Sequence, residues 1–384
     1  MKRFTKMPLM GRSNKMRIAY VTMHWPRFAA SGVGKKINRQ IKAWRDSGHI
    51  VELFNHMHSL EDKSLLLNGK RFEYDLGTGQ FATIKTEVNR IKAVKALIES
   101  VLEFEPDIIY MRWSIYTYPI HRLLNHISTV VEINTVDTSE YRALGGIYAL
   151  YNRLTRSIIL SKVAGIVFIT EQMRSMPDFT RFKKPSATIA NSINLDTTSP
   201  FPAPANTPPH LLFIGTPGMA WHGVDKLMVL AKSFPDLEID IVGISELQGL
   251  RNLPGNLHLY GYLQGEALEK VMRNADAAIG SLSLHLIDIY EGSTLKILDY
   301  ISRGIPCILP YFDVNLTPLN SEYFLQIPNN EANIQTHGQA IRDFVYRMRG
   351  QRVPCELIAG QVDTKIKESE RLKFFRQILG MNHP

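Results

Sequence analysis

Short, almost wholly apolar runs alternate with segments of helical periodicity along the chain, and this alternation restricts the fold more than any other feature. Arg17–Thr22 reads as a strand, and Gly34–Asp46 as a helix with Ile37, Ile41 and Trp44 on one face. Gly48-His49 turns the chain into a strand at Ile50–Phe54. Val88, Ile91, Val94, Ile98 and Val101 have helical spacing and lead into a strand at Asp107–Met111. Strands follow at Thr129–Ile133 and Gly165–Ile169, with helical sequence around Tyr148–Val163 between them. Strands this apolar, separated by helices, predict a parallel sheet covered on both faces.

The pattern then breaks and restarts. Residues 200–209 hold five prolines, Pro200, Pro202, Pro204, Pro208 and Pro209, which stiffen a chain and cannot donate to a ladder. Beyond them come strands at Leu211–Ile214, Glu238–Val242, Leu257–Tyr260, Ala277–Leu282 and Pro306–Leu309. Helices are expected at Val224–Ser233, Glu266–Arg273, Thr294–Ser302, near Glu331–Arg349 and at Thr364–Leu379. A chain of 384 residues accommodates two such α/β units. The boundaries expected are 1–199, 200–363 and a terminal helical stretch 364–384. Two doubly wound, Rossmann-like parallel-sheet domains imply a cleft between them, with ligand at the carboxyl ends of the strands.

Several classes drop out on composition. No apolar run approaches the roughly 18 residues of a membrane span, and Met1–Arg17 lacks the apolar core of a signal peptide, so a cytoplasmic protein is expected. Cys307 and Cys355 have no metal-site or Cys-x-x-Cys spacing. Residues 1–45 contain twelve Lys/Arg and no Asp or Glu, so a net charge of +9 leaves 9 − 12 = −3 for the rest. This asymmetry points to an anionic partner, with an anionic membrane surface weighed against a solvated basic face. Nucleic acid ranks last, because no zinc-finger or RNP-type signature accompanies the charge.

The segment Tyr290-Glu291-Gly292-Ser293-Thr294-Leu295-Lys296-Ile297-Leu298-Asp299-Tyr300 carries the most chemistry. Ser293 is the expected N-cap of the following helix. Free N–H groups and the helix dipole there suit a phosphate, and Lys296 in the first turn adds positive charge. Carboxylates such as Glu291 and Asp299 accept hydrogen bonds from sugar and ribose hydroxyls. On spacing alone an ordinary amphipathic helix with Leu295 and Leu298 in the core is an equal reading.

This segment resembles the acidic pair, separated by seven residues, of family-4 retaining glycosyltransferases, which have the GT-B fold. Gly304-Ile305-Pro306-Cys307-Ile308 is similar to that family's glycine-x-proline strand start. The resemblance implies that Glu291 contacts the donor sugar near the scissile bond and Asp299 the nucleotide ribose, aspartate standing where glutamate is usual. Ser31-Gly32 with Gly48-His49-Ile50-Val51 is similar to the N-terminal glycine loop, Ser31 taking the place of its first glycine. Gly32 would admit donor phosphates close to the backbone. Gly215 and Trp221-His222-Gly223-Val224 resemble the phosphate-binding glycine and lysine-glycine turn. Here His222 replaces the lysine, and no arginine follows Gly215. Ala190-Asn191-Ser192-Ile193 is similar to the pair that closes the first domain.

The implied enzyme moves a sugar, with retention, from a nucleotide-diphosphate donor to a hydroxyl of a glycan or lipid-linked acceptor, in cell-surface polysaccharide synthesis. Glu291 and Lys296 would be catalytic. Gly32, Gly215, His222, Ser293, Thr294, Leu295 and Asp299 would bind donor. No cofactor beyond the nucleotide sugar is implied. No metal is either, since the donor segments contain no Asp-x-Asp motif. Acceptor-side candidates are His24, at the end of the first strand, and Arg112 in Tyr110-Met111-Arg112-Trp113, which pairing at the sheet edge would equally explain. A dinucleotide oxidoreductase is disfavoured, because Gly32-Val33-Gly34 runs on to Ile37 instead of the third glycine. A sugar-nucleotide epimerase and a non-catalytic scaffold subunit remain as alternatives.

Overall fold

The structure, a computed structural model, describes residues 15–23, 31–55, 64–67, 70–73, 82–246 and 253–381. Two six-stranded parallel sheets form its frame. The first runs Ile50–Asn55, Arg17–Thr22, Ile108–Arg112, Thr129–Ile133, Gly165–Phe168, Ser186–Thr188. The second runs Leu257–Leu259, Glu238–Val242, His210–Ile214, Ala277–Ile279, Cys307–Leu309, Phe324–Gln326. The doubly wound expectation is therefore met, with helices covering the strands.

Period-two alternation divides the first sheet cleanly. Ile18, Tyr20, Ile108 and Tyr110 pack into one core with Trp44 and Phe375, while Ala19, Val21, Ile109 and Met111 pack into another with Val94, Leu97 and Leu160. Side chains of successive strand residues point to opposite faces, so both faces of a covered strand must be apolar. In the second sheet Leu211 and Phe213 join one core and Leu212 the other.

In each sheet the winding direction reverses once. The reversals lie between Arg17–Thr22 and Ile108–Arg112, and between His210–Ile214 and Ala277–Ile279. Crevices open at such switch points, beyond the carboxyl ends of the strands.

Several boundaries differ from the sequence expectation. The strand expected over Ala277–Leu282 stops at Ile279. Beyond it Leu282 and Ser283 donate their N–H groups to His222 and Trp221 instead of to a ladder. The strands Ser186–Thr188 and Phe324–Gln326 and the helix Cys355–Val362 lie outside the sequence expectation. The edge strands are three residues long, too short to show alternation.

The proline segment is pinned along its length. Phe201 donates to Arg303 O, Arg352 to the carbonyls of Phe201 and Pro202, and Gly350 N to Pro204 O. The helix Thr364–Leu379 lies against the helix Gly32–Asp46, Trp44 Nε1 donating to Glu368 Oε2 at 2.9 Å and Phe375 packing edge-on to Trp44. Among the described residues no helix is long and apolar enough to cross a membrane.

Candidate active site

The switch point of the second sheet holds three of the sequence-picked residues. Gly215 follows one flanking strand and Ser281 the other, and the Leu295–Ser302 helix starts in front of them. Ser281 Oγ lies 3.0 Å from His222 Nδ1 and accepts from Lys296 Nζ at 3.2 Å. The Lys296 ammonium also sits 4.1 Å from the Phe213 ring centroid, a cation–π contact. No acidic side chain among the described residues offsets its burial, which pulls its pKa down to about 7. Burial, helped by Lys296, drives His222 down to about 2. His222 is therefore a neutral imidazole, and Lys296 brings the positive charge to this corner.

Glycine is required around it on steric grounds. A Cβ on Gly215 would stand 2.6 Å from Phe213 Cε1, and one on Gly243 would stand 2.0 Å from Gly215 O. Gly292 is crowded likewise, with Tyr311 Cε2 at 2.6 Å. At Gly32 a Cβ would meet Leu295 at an ordinary 3.5 Å, so protein packing alone leaves that position free to carry a side chain.

Ser293 is not the N-cap. Thr294 occupies that position, without a side-chain capping bond. Glu291–Gly292 forms a short parallel pair with Phe312–Asp313, which carries the chain one residue further before the helix begins. Ser293 is buried, and its Oγ accepts from Asn191 N at 3.0 Å and Asn315 Nδ2 at 3.2 Å. Asn191 Nδ2 also donates to Ser293 O. Ser293 thus ties the helix start to the first sheet's domain. Thr294 Oγ1 pairs with Tyr311 OH at 2.7 Å. Leu295 and Lys296 occupy the first turn, whose N–H groups have no acceptor within the helix.

Helix starts from both domains meet here. Ser31 caps Gly32–Asp46 by accepting from Gly34 N at 3.1 Å, and Gly32 lies against Leu295. The positive ends of two helix dipoles converge on one corner.

Glu291 faces the same cleft. Its Oε2 accepts the backbone N–H of Gln172 at 2.8 Å, in the first turn of the Glu171–Ser175 helix. Asp299 lies one turn beyond Lys296. Burial raises its carboxyl, and Lys35, Arg39 and Arg303 partly offset the rise. Arg112 Nη1 is 3.8 Å from Glu132 Oε2, so the guanidinium is engaged with a buried carboxylate. His24 lies outside the described residues.

No family model matches the chain, and no curated protein matches it in sequence. Among solved structures, a sucrose-phosphate synthase from Thermosynechococcus elongatus is similar, with a TM-score of 0.67 at 15% identity, over 95% of this chain and 100% of that one. The catalytic domain of starch synthase IV from Arabidopsis thaliana, bound to ADP and acarbose, has a TM-score of 0.60 at 11% identity, over 95% and 99%. An α-glucosyltransferase in complex with UDP-glucose and DNA containing an abasic site has a TM-score of 0.59 at 14% identity, over 94% and 99%. The fold is GT-B.

Within this GT-B frame, four residues at the cleft had escaped sequence reasoning. Ser281 falls within the expected strand Ala277–Leu282, Lys35 and Arg39 fall within the basic stretch 1–45, and Gln172 carries no signal of its own. The positive charges of Lys35 and Arg39 act on Asp299 and lower its carboxyl. Their i, i+4 spacing on the helix after Ser31-Gly32 was the available signal. Of the basic residues in 1–45, Lys36 is buried and donates to Glu132 Oε2 at 2.9 Å and Asn134 Oδ1 at 2.7 Å. Arg17 and Arg45 are spent on the carbonyls of Phe104 and Val51. Residues 1–14 lie outside the described residues.

Proposed function

We propose that this protein is a retaining glycosyltransferase that moves a sugar from a nucleoside-diphosphate donor to a hydroxyl of a glycan or lipid-linked acceptor, in cell-surface polysaccharide synthesis. The observation that carries the reading is Lys296, a half-buried ammonium with no acidic partner among the described residues, at the start of a helix and beside a switch point. A buried cation without a counter-charge is costly, and an anionic ligand removes the cost.

In this reading the domain of residues 1–199 presents the acceptor, 200–363 binds the donor, and 364–384 crosses back. The donor diphosphate lies between Lys296, the amides of the Leu295 turn and the Gly32 backbone, with the Gly215 backbone beside it. His222 acts as a neutral donor or acceptor beside Ser281, and Ser293 and Thr294 shape the turn. Asp299, with the charges of Lys35 and Arg39 acting on it, binds the ribose end, and Glu291 holds the sugar.

Chemistry follows from charge. As the glycosidic C–O bond breaks, negative charge grows on the leaving diphosphate, where Lys296 and the two helix dipoles stabilise it. The acceptor hydroxyl attacks from the same face and its proton passes to the leaving phosphate, which accounts for retention without a dedicated protein base and without a metal. Arg112 is half-committed to Glu132 and steers an acidic acceptor group.

A scaffold reading draws on the neutral His222 and the missing arginine after Gly215. Titration of UDP, GDP, ADP and CMP and their common sugar derivatives separates the two. Selective binding of one nucleotide, lost in Lys296→Ala, supports the transferase, and no binding in any order with acceptors supports the scaffold. Sugar turnover without any acceptor would point to an epimerase, and transfer to DNA would move the acceptor to nucleic acid.

A further inference from the structure

The helix Gly146–Leu160 is turned with its polar residues inward. Asn152 and Arg156 are buried, Arg156 Nε and Nη2 binding both oxygens of Asp137 at 2.9 and 2.8 Å and Asn152 Nδ2 reaching Asp137 Oδ2 at 2.7 Å. The apolar residues of its first half face outward instead. Ile147 is 85% exposed, Leu154 68% and Leu150 57%, and exposed Tyr148 and Tyr151 adjoin them. Positions 147, 150, 151 and 154 follow i, i+3, i+4, i+7 spacing and make one continuous stripe. Scattered surface leucines need no explanation, whereas a contiguous apolar stripe marks an interaction surface.

The surroundings of the stripe are cationic. Residues 137–184 contain eight Lys/Arg and four Asp/Glu, a balance of 8 − 4 = +4. A cavity of about 630 Å³ opens beside Leu150, and Arg142, Arg153, Arg156, Arg181 and Asp178 line it. Asp137 and the carbonyl of Asp178 satisfy Arg156, while Arg142, Arg153 and Arg181 are exposed. An apolar stripe rimmed by arginines is the complement of a bilayer surface that offers acyl chains below and phosphates above.

We propose that the Gly146–Leu160 helix is a docking surface for an anionic phospholipid membrane, its leucines and Ile147 entering the headgroup–acyl boundary while Arg142, Arg153 and Arg181 bind lipid phosphates. The surface adjoins the cleft. Ser139 Oγ in the preceding helix donates to Asp288 Oδ2 at 2.8 Å, and Arg142 Nη1 lies 4.0 Å from the same oxygen. Asp288 O in turn accepts from Gln172, the residue that holds Glu291. A docked membrane therefore lies beside the mouth of the site, and a lipid-borne acceptor reaches it without leaving the bilayer. Docking itself requires no donor and is read without nucleotide, so it stands apart from the transferase assignment.

The test is co-sedimentation of the full chain with vesicles of phosphatidylcholine alone or mixed with phosphatidylglycerol. Binding is expected to the mixed vesicles only, and to weaken as salt rises. Leu150→Asp with Leu154→Asp should lower partitioning at least about tenfold while leaving thermal unfolding unchanged, since both side chains are exposed. Arg153→Glu with Arg181→Glu should do the same through the phosphates, and serves if the leucine variant folds poorly. Binding that survives both variants and vanishes when Lys2, Arg3, Lys6 and Arg12 are neutralised would assign the membrane to the N-terminal stretch and overturn the proposal. A dimer that the leucine variant splits, with no vesicle binding, would overturn it in favour of a second copy of the chain.

Discussion

Gln172 and Glu291 grip each other across the domain cleft in both directions. The Gln172 backbone N–H donates to Glu291 Oε2 at 2.8 Å, and Gln172 Oε1 accepts the N–H groups of Glu291 and Tyr290, each at 2.9 Å. A fourth bond runs from Gln172 Nε2 to Asp288 O at 2.7 Å. The carboxylate that resembles a donor-sugar ligand is thus oriented by a residue of the opposite domain.

Gln172→Ala removes the side-chain bonds and keeps the backbone one. Transfer turnover should fall about tenfold with nucleotide affinity nearly unchanged, because three side-chain bonds of about 1 kcal/mol each hold the backbone of residues 288–291 that carries Glu291, while the bond to its carboxylate stays. Glu291→Gln should cost about a hundredfold or more in turnover. Steady-state kinetics beside nucleotide titration checks both, and a shared loss of affinity in Gln172→Ala would refute the positioning role.

Lys296 makes donor binding depend on pH. Free, it titrates near 7, and a bound diphosphate raises that value by opposing its charge. Affinity for a nucleotide sugar, whose diphosphate has no proton to lose in this range, should be level below about pH 7. Above that it should fall toward tenfold per pH unit. Lys296→Met should bind weakly with a flat profile by calorimetry.

The same lysine weakens the empty protein. Its folded pKa is depressed from 10.5 to about 7. The unfolded chain therefore binds the extra proton throughout that window, and stability rises with pH across it. Lys296→Met removes the buried charge and keeps the bulk, so at neutral pH the melting temperature should increase by about 2–4 °C. Scanning calorimetry across the window measures it.

Gly243→Ala should be severely destabilising. Its φ of +93° is one that side chains rarely adopt, and the new Cβ would press on the backbone oxygen of Gly215, which cannot rotate away. A loss of about 3 kcal/mol or more in urea unfolding is expected. A neutral result would mean that the loop beneath Gly215 is free to shift.

The buried charges under the terminal helix form one unit. Burial raises Glu368, which Arg371 opposes, while Lys36, Arg371 and Arg112 hold Glu132 well below the usual carboxylate range despite its burial. Glu368→Ala leaves Arg371 with Glu132 as its remaining carboxylate, 3.5 Å away, and leaves Trp44 Nε1 without its acceptor, so about 1–3 kcal/mol should be lost. Replacing Trp44 by Phe as well should not add the full cost of each change, which a double-mutant cycle reads.

Much of the frame was legible because it is written in local periodicity. Strands such as Glu238–Val242 and helices such as Val224–Ser233 have the bounds that their apolar spacing indicates. The nearness of Glu291, Lys296 and Asp299 follows from lying on one turn-and-helix segment. What escaped was either too short to show a period, as Phe324–Gln326 was, or decided by contact between distant segments. Ser293 reads as an N-cap until Asn191 and Asn315 claim its hydroxyl. The helical sequence around Tyr148–Val163 does not say which face is buried, and it is Asp137 that draws Asn152 and Arg156 inward and leaves Ile147, Leu150 and Leu154 outside.

By itself, then, the sequence determined the two doubly wound sheets and the segment that carries the candidate chemistry, because burial of period-two and period-3.6 patterns is settled within a few residues of each other. The tertiary structure decided which groups share the cleft. Ser281 between His222 and Lys296, Gln172 on Glu291, and the charges of Lys35 and Arg39 acting on Asp299 depend on how two sheets and a crossing helix pack, and no local pattern encodes the desolvation and charge that this packing brings together.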